Sequence, residues 1–440
     1  MEEKLERALR LKDLTMIVIG TVIGSGIFIV PAAVLRQTGE NVWLAMLVWA
    51  LGGGLSLLGA LTYAELGSMF PQAGGLYVYL REAFGKFPAF LYGWSMFFVI
   101  SSGAVATLAV AFSSYLTQLI PLDMVMARIV SVLMIIVVAV VNVRGVRGSA
   151  IMQNWTTGIK VGAILIMGTL LIVLGKGSGD SGSLSTEIGE VNIFSGIALA
   201  MVGVLWAYEG WHYVTFSTGE TIDPQRTFAR AITVGTLALI GIYLFANIAY
   251  LVALGPATAS QSERIAAEAV STVIGPAAGN LIAVAILISM FSAANGIMLT
   301  ATRAYFAMAQ DGIFFKKLGE VHPRFKTPAF AVVWSSVWAI LLAATGTFEQ
   351  LFTYVVFAGW LFYALGAASV VILRRTMPDA QRGFRVPLYP FTPILFILAS
   401  SAIVLNTLIS QPERGFVGLG IILLGTPVYF FWLKKSSSAS

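Results

Sequence analysis

The chain has 440 residues, 58% of them hydrophobic and 11% charged, with a mean hydropathy of +0.86. A soluble domain carries about 25% charged residues, so this composition cannot cover a water-facing surface and makes lipid the solvent for much of the molecule. Zero cysteines and two histidines, His212 and His322, exclude disulfides, thiolate metal sites, cysteine nucleophiles and His-rich metal clusters.

Residues 1–13 are charged (Glu2, Glu3, Lys4, Glu6, Arg7, Arg10, Lys12), and the apolar stretch that follows is too long for a signal peptide, so it reads as the first membrane span. A helix needs about 20 apolar residues to cross the hydrocarbon. Twelve segments are expected to do so: 13–36, 42–69, 87–119, 122–143, 150–175, 192–219, 228–254, 278–309, 328–346, 349–374, 388–410 and 416–433. They do not alternate as barrel strands would, and unsatisfied backbone in lipid leaves no other spanning structure, so an all-α membrane fold follows. Alternate connections hold 20 and 5 Lys and Arg residues, with Lys160 and Arg303 inside spans. The richer side is expected to be cytoplasmic, which places both termini there and explains the formal charge of +6. Residues 176–191 read as a flexible Gly/Ser-rich outer loop, and 256–279 as an outer loop with a short surface helix over 260–269. The segments 70–87 and 311–327 read as basic inner loops, and 436–440 as a disordered tail.

Two spans are interrupted. Span 1 contains Gly20, Gly24 and Gly26 in seven positions, each costing a continuous helix on the order of 1 kcal/mol. Span 6 contains Trp206-Ala207-Tyr208-Glu209-Gly210-Trp211-His212-Tyr213. Glycines in a span also serve close helix packing, and that reading stands beside the one of a broken backbone. If spans 1–5 and 6–10 are two halves, both interruptions open their half, the pattern that marks a midplane site in inverted-repeat transporters. The amides at a half-helix N-terminus suit a carboxylate, and the facing carbonyls suit an ammonium. A zwitterion matches both.

The runs Gly24-Ser25-Gly26-Ile27-Phe28, Tyr63-Ala64-Glu65-Leu66-Gly67, Trp206 to Trp211, Gly219-Glu220 with Pro224 and Ala229-Arg230-Ala231-Ile232, and Ser292 with Asn295-Gly296 and Arg303 resemble the amino acid–polyamine–organocation superfamily. Within it, the L-type amino acid transporters fit best, over about residues 10–435. The resemblance implies a five-plus-five inverted-repeat fold (12–175 and 192–374) with two appended spans (388–433), and amino-acid transport by alternating access. It implies that backbone at Ile23, Ser25 and Gly26 holds the α-carboxylate. Carbonyls near Val22, Ile23 and Trp206 would hold the α-ammonium, with Gly24, Tyr208, Glu209 and Gly210 completing the site. Trp206 corresponds to an aromatic gate over the substrate. Animal members carry a heavy chain linked through a cysteine after span 3; here that loop is Ile120-Pro121-Leu122-Asp123, so no such link is expected, and the bacterial inner membrane is the expected location.

Charges at membrane depth are costly and by default functional. Lys160 stands where the family has a lysine and where sodium-coupled relatives of the fold bind sodium. Its ammonium is expected on carbonyls of broken span 1, in place of a cation, against the alternative of a lysine snorkelling to the surface. Glu209 either faces the substrate side chain, favouring cationic groups, or braces the break. Glu65 and Arg303 are candidates for an inner gate, and His212 reads as a packed polar residue rather than a proton relay. Pocket walls are expected from Ser101, Ser102, Ala104 and Thr107 on span 3 and from Ser292 and Asn295 on span 8. No paired catalytic constellation and no cofactor motif occur, so an enzyme is not expected, nor is a nutrient sensor with a signalling domain. The function expected is a sodium-independent exchanger or uniporter of neutral L-amino acids. The alternative is a proton-coupled symporter or a permease for cationic amino acids or polyamines.

Overall fold

A computed structural model describes residues 7, 9–117, 119–175 and 193–437, so the expectations for the 176–191 loop and the last three residues of the tail lie outside the described residues. In chain order the helices are α1 (Leu11–Val22), α2 (Gly26–Gln37), α3 (Val42–Met69), α4 (Leu76–Phe84), α5 (Lys86–Ser95), α6 (Ser101–Leu116), α7 (Met124–Arg144) and α8 (Val146–Leu174). They continue with α9 (Ile193–Ala207), α10 (Pro224–Gln261), α11 (Ile265–Val273), α12 (Pro276–Gln310), α13 (Ala329–Thr345), α14 (Phe348–Thr376), α15 (Phe391–Ser410) and α16 (Pro412–Ser437). Among the described residues nine helical segments are long and apolar enough to cross a membrane, and ten if α1 and α2 make one bent span. The 17-residue α13 and the 15-residue α9 fall short of that length.

The expected bounds of 42–69 coincide with α3. Asn41 starts that helix by accepting the Leu44 N–H at 2.9 Å, as an N-cap does. Span 3 is less regular than expected: α5 and α6 join through a π-helical turn, Met96–Ile100. A π turn leaves carbonyls out of register. Here Tyr305 donates to Met96 O (3.1 Å) and Trp338 to Phe98 O (2.7 Å), so the irregular turn is satisfied by side chains. The surface helix expected over 260–269 lies at 265–273 instead, because α10 runs on past a kink at Gly255, whose φ of 72° only glycine adopts without strain. The 70–87 connection is not plain loop: α4 buries Leu76 to Leu80.

Burial separates inner from outer helices. In the most apolar stretch of α5–α6, 83% of residues are buried, whereas in α7 only 22% are. Trp43, Leu133, Val173, Leu281, Leu398, Ile409 and Phe431 stand exposed on the outside of the bundle. Apolar surface on this scale is stable only against lipid.

One end of the bundle carries both described chain ends. Leu9, just ahead of α1, pairs with Thr221 in a parallel β-bridge. Arg303 near the end of α12 reaches Glu220, Arg81 and Tyr77 reach Asp311 at the end of α12, and Trp432 of α16 packs on Phe314 and Phe315.

Candidate functional site

Between α1 and α2 the helix stops for Ile23 to Ser25 and resumes bent by 46°. Between α9 and the 3-10 segment Trp211–Glu220 it stops at Tyr208 to Gly210. The two breaks face each other. Thr21 donates to Gly210 O at 3.0 Å, and Trp206 Nε1 to Ser25 Oγ at 3.3 Å. The Tyr243 hydroxyl lies within reach of Val22 O (3.1 Å) and Ala207 O (2.9 Å), one carbonyl from each break. Two glycines make the approach feasible. A Cβ on Gly26 would sit 2.4 Å from Ala207 Cα, and Gly210 holds φ 124° with Thr21 main chain where a Cβ would go. Close packing and a broken backbone, the two readings of these glycines, therefore hold together.

Broken helix ends in hydrocarbon leave carbonyls that cost several kcal/mol each if unpaired. Lys160 of α8, almost fully buried, donates to Gly20 O and to Ile23 O, both at 2.7 Å. Its ammonium lies on the open C-terminal end of α1, where the helix dipole is negative, rather than snorkelling to the surface. Ser289 adds a bond to Ile23 O at 3.0 Å. A carbonyl has two lone pairs, so Ile23 O is filled and is not open to a substrate ammonium. Val22 O shares the one Tyr243 hydroxyl proton with Ala207 O, and Trp206 O accepts the Glu209 N–H at 3.0 Å, so each keeps at least one acceptor position. On the opposite side, Phe28 is the first residue of α2 whose N–H returns to a carbonyl, that of Ser25. The amides ahead of it form a helix N-terminus.

A cavity lies at this junction, lined by Thr21, Val22, Gly24, Ser25, Gly26, Ala104, Leu108, Trp206, Glu209 and Ile297. Its open core is about 10 Å³, room for about one water. The site is thus collapsed and has to widen before an amino acid fits. Trp206 closes it on one side, packed against Phe348 and Phe352 of α14 (6.3 and 6.0 Å between ring centres).

Several expected wall residues stand elsewhere. Asn295 accepts from Asn142 (2.9 Å) and Ser149 (3.0 Å) and donates to Gln153 (3.2 Å), tying α12 to α7 and α8. Ser292 bonds Thr156 at 2.7 Å on that same flank. Ile297, two residues past Asn295 and so on the far side of the helix, takes the cavity position instead. Tyr208 turns to Trp49 and Tyr243, one helical step away from Glu209. Ser101 and Ser102 line a separate cavity with Met298 and Thr302. Thr107 donates within its own helix, to Gly103 O.

The profile of the amino acid permease family matches residues 9–431. The chain belongs to that family. This is the superfamily that the motifs resemble, and the permease is a multi-pass membrane protein. It is 33% identical over 425 residues to the serine/threonine exchanger SteT of Bacillus subtilis, covering 96% of each chain. It is 33% identical to the mouse b(0,+)-type amino acid transporter 1, over 94% of its own length and 85% of the relative's. It is 32% identical to the rat large neutral amino acids transporter small subunit 2, over 95% and 80%.

The charged gate candidates do not pair with each other. In the permease, Arg303 grips Glu220 through Nε (3.3 Å) and Nη2 (3.1 Å), with both residues nearly buried, and also bonds Leu299 O. The main chain of the same segment bonds Leu9 in both directions, Leu9 N to Glu220 O and Ile222 N to Leu9 O, each at 2.9 Å. Together these contacts tie the Glu220 segment to α12 and to the residue ahead of α1. Glu65, fully buried, accepts from Arg374 (2.9 and 2.6 Å), Arg382 (3.1 Å) and Val386 N (2.8 Å). It clasps the 377–390 connection to α3 and α14 and takes no part in the Arg303 pair. Tyr77 donates to Asp311 at the same end of the molecule, and burial together with that bond pushes its phenol above the ordinary value. His212 is buried with Nε2 3.2 Å from the Tyr363 hydroxyl, which donates to Glu209 Oε1 at 2.6 Å. Tyr363, Tyr243, Phe348 and Phe352 carry no local motif and went unread in the sequence, and Glu220, though part of a motif run, was not read as the partner of Arg303.

Proposed function

We propose that the permease is a sodium-independent exchanger of neutral L-amino acids working by alternating access. The observation that carries this reading is Lys160. A covalently attached ammonium already sits on the carbonyls of the broken helix, where a bound cation would otherwise be needed to stabilise them. The open amides at Ser25 and Gly26, beside carbonyls with spare lone pairs at Val22 and Trp206, suit the two charged ends of an α-amino acid. The relatives named as a serine/threonine exchanger and as amino acid transporters support the same class of solute. In this reading the halves 12–175 and 192–374 are inverted repeats, and α9 and α13 complete twelve spans. The chain ends face the cytoplasm of a cell whose plasma membrane holds the protein. With no cysteine in the 440 residues, no partner can be attached by a disulfide.

Alternation then has two closures to release in turn. Trp206 with Phe348 and Phe352 covers one side. The Arg303–Glu220 pair and the Leu9 bridge cover the other. The test is uptake of labelled neutral amino acids into liposomes holding purified protein, loaded or empty. An exchanger takes up label only into loaded liposomes; equal uptake into empty ones would make it a uniporter. The second reading, a permease for cationic amino acids, draws on the carboxylate of Glu209 at the cavity wall, and competition by lysine or arginine checks it.

A further inference from the structure

We propose that Tyr363 and His212 are positioning residues that hold Glu209 with one oxygen free for the substrate, so that the site selects amino acids with a short side-chain hydrogen-bond donor. The inference rests on the exchanger reading and names the substrate class within it. Glu209 lines the cavity and is 5% exposed. Its Oε1 is taken by the Tyr363 hydroxyl at 2.6 Å, whereas its Oε2 is buried and has no hydrogen-bond partner among the described residues. A buried carboxylate oxygen without a partner is costly, and Glu209 borders the cavity through which a substrate's donor would arrive.

The bonding order of the cluster fixes which oxygen stays free. A hydroxyl has one proton to donate. Tyr363 gives it to the carboxylate, the stronger acceptor, so at 3.2 Å it accepts from His212, whose Nε2 then carries the hydrogen. Tyr363 is itself fixed: it is completely buried, and its main-chain carbonyl accepts from Tyr63 at 3.2 Å. Glu209 is therefore held from behind by a side chain of α14 that touches no part of the cavity, and Oε2 is the remaining acceptor.

The lining of the cavity decides between donors. Glu209 shares it with apolar Trp206, Leu108 and Ile297. A long lysine or arginine side chain would need those apolar walls to part further than a short side chain does. A hydroxyl on Cβ or Cγ adds a donor and little volume. Threonine and valine have nearly the same shape and differ in that donor.

The experiment is competition by unlabelled threonine, valine, serine, alanine and lysine against labelled alanine exchange, using the full chain in alanine-loaded liposomes. Threonine should compete at a concentration more than tenfold below that of valine, because an analogue without the donor leaves Oε2 unpaired. In Tyr363→Phe the carboxylate turns freely, and the threonine-to-valine ratio should fall about tenfold. A loss of folded protein or turnover affects both competitors equally and leaves that ratio alone. In Glu209→Leu the position has neither acceptor nor donor for a hydroxyl, so the preference for threonine should vanish. Equal competition by threonine and valine in the wild type overturns the inference without any variant. So does an unchanged ratio in both variants, and so does lysine competing better than threonine. Failure of the wild type to exchange alanine at all would remove the exchanger reading and this inference with it.

Discussion

Replacing Lys160 with methionine keeps the length of the stem and removes the ammonium. Two hydrogen bonds of 2.7 Å are lost, to Gly20 O and Ile23 O. Bonds to charged groups contribute about 1.5–3 kcal/mol each, so about 3–6 kcal/mol of interaction disappears. Part of this is offset, because the buried charge and its desolvation cost, several kcal/mol per ion, go too. Ile23 O keeps Ser289, whereas Gly20 O loses the partner described here. If a net 3 kcal/mol or so falls on the geometry of the break, exchange slows about 100-fold. The assay is the initial rate of exchange in liposomes at matched protein content, with thermal stability in detergent measured alongside. Lys160→Met exchanging within about threefold of the wild type would refute the claim that the ammonium holds the broken helix in working shape.

Other consequences are equally direct. Glu220→Gln removes the charge partner of buried Arg303 at the closed end. Breaking a buried pair from one side costs about 3–5 kcal/mol. Single cysteines introduced along α1 should then react faster with a thiol probe, and loaded liposomes should leak amino acid without exchange; unchanged labelling would free this pair of a gating role. Glu65→Ala leaves Arg382 and Arg374 without their shared carboxylate and should lower stability by about 3–5 kcal/mol, read as a fall in the detergent melting temperature. Gly26→Ala puts a methyl group 2.4 Å from Ala207 Cα, so the breaks must separate and exchange should be lost. Wild-type rates from this variant would show that the close approach is dispensable.

Much of this fold was legible because the solvent imposed it. Apolar runs of spanning length gave α3 its bounds, and Gly20, Gly24 and Gly26 marked the first break. The second break was legible from polar Glu209 and His212 inside an apolar run. The side of each helix that faces the site was not legible. In lipid the outward face is as apolar as the inward one, so the amphipathic signal that orients a soluble helix is missing. Asn295 therefore read as a pocket residue, whereas it ties α12 to α7 and α8. The brackets behind the site were hidden for another reason. Tyr363 lies 154 residues from Glu209, and Glu220 lies 83 from Arg303, so no spacing rule could join them. Lys160 was legible because a lysine that deep in an apolar segment is costly and by default functional, and the family resemblance pointed to the carbonyls of span 1 as its partner.

The central claim is that the cation stabilising the broken helix is part of the chain. Its most direct test is amino-acid exchange by the purified protein in loaded liposomes, with all sodium replaced by choline. The account predicts the same rate and the same affinity with sodium or without it. A rate that rises with sodium and saturates would contradict it, because the carbonyls that Lys160 occupies would then need an external ion.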